Sequence, residues 1–425
     1  MAKKVTLKEK LFNSRVWKSI IRHGYPDNPI DQSLTITSNA FLHIHPVKVR
    51  KHALNFFYTL GLGGISFLFY LITLVTGIFL MFYYIPSTEH AYHCMKDLEF
   101  VVFFGRMMRN MHRWAAHGMV ACVFLHMCRV FYTGSYKPPR EFNWIIGLII
   151  LVITIAFSYS GYLLPWDQLA YWGINVGTEV AASVPILGKK ISFLLKGGNI
   201  IDQNALIRFY VIHCIFLPVI FTGLIMVHFW RIRKDGGISG PPLTEDDLKE
   251  RKEGPFALNP AKTYNLMAMP EVKTNLVEKE PEDTVMTFPN LVKIELNCAI
   301  LVTSILLIIS YFFNAPLEEI ANPELVPSPA KAPWYFLGLQ EMISWSTPFY
   351  GGVLYPTLVL LILAAIPYFD RSPSGVGVWF APERRLICTI FTLWVIFMGI
   401  LIFIGTYCRG PGWTWYWPWE EWVLH

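Results

Sequence analysis

The chain has 425 residues, of which 54% are hydrophobic, 16% aromatic and only 16% charged. Soluble domains carry about a quarter of charged residues, so this composition, with a mean hydropathy of +0.40, excludes a soluble enzyme and points to an all-α polytopic membrane protein. The net charge of +6 accompanies no nucleic-acid motif, so nucleic acid is excluded as a partner and the Lys and Arg read as topology signals.

Residues 1–53 form a basic arm. Lys3, Lys4, Lys8 and Lys10 precede any apolar run, which is not the pattern of a cleavable signal peptide. Leu7–Phe12 and Val16–Ile21 carry apolar positions at helical spacing with Lys and Arg between. That suits a helix lying on anionic membrane lipid, or equally an amphipathic arm packed on the protein. Seven apolar segments follow, A to G, at about 54–84, 107–133, 143–164, 205–231, 293–314, 351–369 and 386–407. Each is long enough, or nearly so, to cross about 30 Å of hydrocarbon. The spacing divides the chain into the arm, a four-helix unit (54–235), a charged linker (236–292), a three-helix unit (293–408) and an aromatic tail (409–425). Basic residues in the arm and in the B–C, D–E and F–G loops put those regions, and the N-terminus, on the inner, cytoplasmic side of the membrane. None of the seven cysteines forms Cys-x-x-Cys, and they carry no function in this reading.

Segment B holds His112 and His126, fourteen residues apart, and segment D holds His213 and His228, fifteen apart. Each pair spans about 21–23 Å along its helix, and fourteen residues return the chain to within about 40° of the same face. B and D run the same way, so His112 faces His213 and His126 faces His228, the arrangement a bis-histidine haem requires in a bundle core. The extra residue on D overshoots by about 100°, and Pro218 between the histidines supplies a kink to absorb it. A single intramembrane histidine is ordinarily a packing residue; two matched pairs on two helices argue for ligation. His117 lies about 140° round the helix from His112 and faces away from the pair. Segments A and C carry Gly63 with Gly77 and Gly147 with Gly161, again fourteen apart. Glycine lets a flat ring approach a helix, which sets Gly63 and Gly147 beside the inner pair and Gly77 and Gly161 beside the outer one. Close helix packing through small residues is the other use of such glycines. The long C–D (165–204) and E–F (315–350) connections contain Pro165–Gly173 and Ala332–Phe336, aromatic runs suited to lining an outer cavity.

From about residue 50 onward the chain resembles cytochrome b of the quinol-oxidising cytochrome bc complexes. The resemblance rests on the histidine and glycine pairs, Arg109, Arg208-Phe-Tyr, Gly161–Gln168 and Pro333-Trp-Tyr335. The spacing on D, the Pro-Trp-Asp-Gln form and Ile232–Pro241 are similar to the chloroplast-type branch, with two commonly separate halves fused. The resemblance implies a subunit of a proton-translocating quinol:cytochrome c-type oxidoreductase. It would hold two non-covalent b-type haems and associate with a Rieske iron–sulfur protein and a c-type cytochrome, in a homodimeric complex. It implies that His112 and His213 hold the outer haem, His126 and His228 the inner one, and that Arg109 and Arg208 assist. Arg109, one turn before a ligand, is suited to a haem carboxylate, or to snorkelling at a helix end. Gly173, Pro333, Trp334 and Tyr335 would line the quinol site, and Arg233 and Asp235 the inner quinone site.

Three departures qualify the resemblance. The family motif commonly reads Pro-Glu-Trp-Tyr, with the Glu as proton acceptor; here it is Ala332-Pro333-Trp334-Tyr335, as in menaquinol-using complexes. Menaquinone is therefore the expected quinone, with Glu341, and Asp167 behind it, as substitutes for the missing base. No cysteine precedes Cys94, so the covalent extra haem of the chloroplast-type branch is not expected. There are seven crossings where the mitochondrial form has eight. Two other readings stay open: a di-haem membrane anchor of a quinone-linked dehydrogenase, and a haem-free transporter using His and Glu as proton relays.

Overall fold

A computed structural model describes residues 10–11, 13–21, 26–241, 284–372 and 374–422. Most of Leu7–Phe12 and the central linker residues 242–283 lie outside the described residues. In the arm, α1 (Arg15–Ile21) is followed by α2 (Pro29–Ser38), a helix the apolar periodicity misses. Its signals are local: the Asn28 side chain accepts from the Asp31 N–H, and Pro29 occupies the first turn where no donor is needed. Lys48–Arg50 (β1) then pairs antiparallel with Thr284–Met286 (β2), Val49 opposite Val285. This ribbon, also unexpected, ties the end of the arm to the start of the fifth apolar helix.

Among the described residues, seven helices are long and apolar enough to cross a membrane. They are α3 (Leu62–Met81), α5 (Gly105–Tyr132), α6 (Glu141–Tyr162), α9 (Gln203–Lys234), α10 (Thr287–Phe312), α12 (Tyr350–Phe369) and α13 (Pro382–Tyr407). Shorter helices fill the connections: α4 (Ala91–Phe100), α7 (Gln168–Ala182), α8 (Gly188–Lys196) and α11 (Trp334–Ser344). Segment A begins later than expected, because Leu60 and Gly61 adopt left-handed backbone and separate a short turn, Phe56–Thr59, from α3.

Helix α5 is the axis of the bundle. It packs along α3 and touches α6 and α10, while α9 packs on α6 and α11 on α13. The core at its middle joins Phe69, Met111, Ala115, Met119, Ile150 and Phe221, contributed by α3, α5, α6 and α9. A second cluster, with Phe131 stacked on Phe391 at 3.9 Å, binds α5 to α13. Between helices surrounded by lipid, close van der Waals packing and interhelical hydrogen bonds stabilise the bundle, because lipid tails are as apolar as the side chains they would replace.

The extra residue between His213 and His228 is absorbed by a π-turn, Ile212–Phe216, rather than by a proline kink alone. The Leu217 N–H bonds to Ile212, five residues back, just before Pro218, which has no N–H to give. A wide turn takes one more residue per revolution, so fifteen residues cover the rotation fourteen would. The same device recurs in α12, where the π-turn Tyr350–Leu354 ends two residues before Pro356.

The two long connections are stitched together on one face. Asp167 bridges to Ile320, and the Gln168 side chain donates to the Leu325 carbonyl at 2.5 Å and accepts from the Asn322 N–H at 2.7 Å. Trp172 also donates to Leu325 at 3.0 Å. The Pro-Trp-Asp-Gln motif thus joins the α6–α7 corner to the segment leading into α11.

Candidate functional site

The structure brings His112 and His213 together across α5 and α9, with ring centroids 6.2 Å apart and planes at 73°. A ring nitrogen bonds a metal at about 2 Å and lies about 1 Å from its ring centre, so two imidazoles sharing one ion have centroids about 6 Å apart. The separation fits a bis-histidine metal. Each ring is turned by a neighbour: Thr76 Oγ1 on α3 lies 3.0 Å from His112 Nδ1, and Ser160 Oγ on α6 lies 3.1 Å from His213 Nδ1. With Nδ1 so engaged, Nε2 is the nitrogen each ring has left for a metal.

Fourteen and fifteen residues further along the same two helices, His126 and His228 form the second pair. The four glycines lie against the four imidazoles. A methyl group at Gly77 would sit 3.1 Å from His112 Cε1, at Gly161 2.5 Å from His213 Cε1, and at Gly63 3.2 Å from His126 Cε1. At Gly147 it would lie 3.8 Å from His228 Cε1, an ordinary contact. The glycines sort between the two pairs as the spacing predicts, and the flat group each accommodates here is an imidazole.

Arg129, one turn after His126, was not singled out by sequence. Its guanidinium lies 4.6 Å from the Tyr58 ring centre, Nε reaches the Tyr58 carbonyl at 3.5 Å, and Nη2 is buried without a partner among the described residues. A buried guanidinium N–H without an acceptor is costly, and a cofactor carboxylate is a group that would satisfy it.

The other expected positions are less uniform. Arg109 does not turn to the His112–His213 pair. It donates to the Ala315 and Pro316 carbonyls at 3.0 and 2.7 Å and pairs with Glu99 at 3.7 Å, fixing the end of α10. Arg208 donates to Asn204 on its own helix at 3.3 Å. Arg233 donates to the His43 carbonyl at 2.6 Å, and Asp235 pairs with Arg231 at 3.0 Å while its carbonyl accepts from Arg140. These ties hold the arm and the end of α9 in place.

Glu341 corrects the sequence reading most sharply. Its carboxylate is fully buried, clamped by the Arg409 guanidinium through Nε and Nη2, and receives the Trp413 indole N–H at 3.2 Å. It faces α13 and the tail, not the side of α11 that carries Tyr335. Arg409, distant in sequence, is the reason a carboxylate survives in an apolar run. Asp167 is likewise committed: Oδ1 caps α7 through the Ala170 N–H at 2.9 Å and Oδ2 accepts from the Glu318 N–H at 3.2 Å. Burial pushes its carboxyl above the usual range, against those two bonds and the nearby Arg113 and Arg109.

Tyr335 lies where α5 and α11 meet, its ring 5.6 Å from His117. Burial pushes its hydroxyl up to about 12, with Arg113 acting the other way. Phe336 packs on Tyr159, whose hydroxyl donates to the Gly173 carbonyl at 3.1 Å. Arg113 lies 5.6 Å from the Tyr162 ring centre, and its Nε is buried without a partner among the described residues. Gly173, Pro333, Trp334 and Tyr335 therefore do converge, and Arg113 and His117 join them from α5. The signal for these two was available: a cation and an imidazole on the face of a span opposite its ligand pair.

Comparison with known proteins agrees with this architecture. Residues 47–236 match the family described as Cytochrome b/b6/petB. Cytochrome b6 of Heliobacterium mobile is 44% identical over 197 residues, which cover 46% of this chain and 90% of that protein. Cytochrome b6 of Euglena gracilis is 42% identical over 187 residues, 44% of this chain and 86% of that protein. A solved structure described as a hyperthermophilic respiratory Complex III superposes with a TM-score of 0.68 at 27% identity, covering 87% of this chain and 90% of that one. The b6 relatives match only the first half of the chain, whereas the structural neighbour extends through the second. The chain belongs to the cytochrome b family, as a haem-binding, electron-transporting integral membrane protein of the bc/b6f-type complexes.

Proposed function

We propose that the protein is the cytochrome b subunit of a quinol:cytochrome c-type oxidoreductase. It oxidises quinol near the face bearing the stitched connections and reduces quinone near the opposite face, with net proton translocation. The observation that carries this reading is the His112–His213 pair at 6.2 Å, each Nδ1 met by a hydroxyl, stacked over a second pair on the same two helices. His112 with His213 and His126 with His228 are the residues that would hold two b haems. When bound, those haems supply one-electron carriers linking the two faces. Thr76 and Ser160 orient the first pair, and Arg129 presents an N–H to a cofactor carboxylate. Tyr335, Trp334 and Gly173 line the quinol site, and the relatives' complexes imply a Rieske iron–sulfur protein and a c-type cytochrome as electron acceptors. The Pro333 variant of the motif supports menaquinol as substrate, and the basic loops support a quinol site on the outside of a bacterial cytoplasmic membrane.

A reduced-minus-oxidised spectrum of the purified complex, with haem counted per chain, tests the proposal. Two b-type haems and antimycin-like or quinone-analogue-sensitive oxidation of a naphthoquinol support it. A haem-free chain, or two haems without quinol oxidation, sinks it.

A further inference from the structure

The missing motif carboxylate leaves a question about what the quinol ring meets beside Tyr335. On the face of α5 opposite the ligand pair, the Trp334 indole N–H donates to His117 Nδ1 at 3.0 Å. The His117 ring is also held edge-on against Tyr335, centroids 5.6 Å apart at 72°, and tilted on Trp114 at 5.5 Å. An indole N–H can only donate. Nδ1 of His117 is therefore the bare nitrogen, and the neutral ring carries its proton on Nε2. Among the described residues Nε2 is neither hydrogen-bonded nor buried without a partner. It is an oriented donor, fixed on three sides by aromatic rings, at the edge of the segment that carries Pro333 and Tyr335.

We infer that His117 Nε2–H is the hydrogen-bond donor for a ring oxygen of the quinol or quinone headgroup at this site. The inference deepens the proposed function and rests on it for the identity of the ligand. Its chemistry is the opposite of the family's carboxylate. A carboxylate accepts the quinol hydroxyl, whereas His117, with Nδ1 occupied by Trp334, offers a proton donor to the oxygen lone pair and holds the ring without taking its proton. Such a donor recognises a quinone carbonyl at least as well as a quinol hydroxyl, so it grips the headgroup in both redox states. His117 is a binding residue in this scheme, and deprotonation of the quinol falls to groups outside this contact.

The test uses the intact purified complex with two substitutions. His117→Leu keeps bulk and removes the donor. His117→Gln keeps an amide N–H₂ at about the reach of Nε2. A neutral hydrogen bond contributes about 0.5–1.5 kcal/mol, so His117→Leu is expected to raise KM for a short-chain naphthoquinol roughly two- to thirteenfold. The Kd of the corresponding naphthoquinone, read by calorimetry, should weaken by the same factor, while the haem spectrum stays unchanged. His117→Gln should stay within about twofold of the parent in both measurements. Equal values for Leu and Gln, or a Leu variant indistinguishable from the parent, overturn the inference. The calorimetric arm separates the two claims. A parent complex that binds naphthoquinone through His117 but turns over no quinol removes the proposed function and leaves the donor role standing.

Discussion

The two histidine pairs sit on the same two helices, yet the protein completes only one of them. At His112 and His213, two hydroxyls turn the rings, two glycines press close, and a π-turn sets the azimuth of His213. At His126 and His228, Nδ1 of His228 is buried without a hydrogen-bond partner among the described residues. Gly147 stands off at 3.8 Å, and Arg129 keeps a buried N–H without a partner among the same residues. The first pair is preorganised by its own shell; the second retains polar capacity that a bound anionic group would fill. A parallel contrast separates Glu341, whose carboxylate is saturated by Arg409 and Trp413, from Arg129. Burial alone does not mark a functional charge; an unspent hydrogen bond is the better sign.

The largest effect should come from removing a ligand. His213→Leu is expected to cut the haem content of the purified chain from two to one, leaving the partner signal of His126 and His228 intact; a variant still carrying two would break the comparison at its root. Next, an added methyl should separate the glycines. Gly161→Ala forces the His213 ring to move from a 2.5 Å contact and should lose the same haem, whereas Gly147→Ala, at 3.8 Å, should keep both. Gly147→Ala should also be neutral or stabilising, since Ala is favoured over Gly in a helix by about 1 kcal/mol. Equal behaviour of the two variants on a haem assay would erase the distinction drawn between the pairs.

Charge removal sharpens the second contrast. Arg409→Ala leaves the Glu341 carboxylate buried with only an indole donor, a change that costs about 3–5 kcal/mol where a buried pair is broken. Thermal unfolding should therefore drop well below that of the parent, and Arg409→Ala combined with Glu341→Gln should recover much of the loss. Below that in size, Ser160→Ala or Thr76→Val removes a ring-orienting hydroxyl and should weaken retention of one haem about 10- to 100-fold. Haem transfer to an excess of apomyoglobin measures it. The smallest expected change on folding is Arg129→Gln. It surrenders the unpartnered Nη2 donor together with a long Nε contact to the Tyr58 carbonyl and the contact with the Tyr58 ring, so the haem-free chain should lose only about 1 kcal/mol while retention of the second haem falls. A large loss of haem-free stability would show that Arg129 is spent structurally after all.

Much of this was legible because membrane helices obey simple periodicities. Length and apolar content located all seven spans, and fourteen-residue intervals of His and Gly survive folding because a straight helix preserves azimuth. The sequence by itself therefore determined which residues share a face and at what height. It could not determine what each side chain spends its hydrogen bonds on, because those partners come from elsewhere in the chain. Arg109 belongs to carbonyls of residues 315 and 316, Glu341 to an arginine beyond α13, and His117 to Trp334. Only tertiary packing brings such groups within 3 Å. In a hydrocarbon-embedded interior, where an unmet polar atom is expensive, that meeting decides which charged residues are structure and which remain available for function.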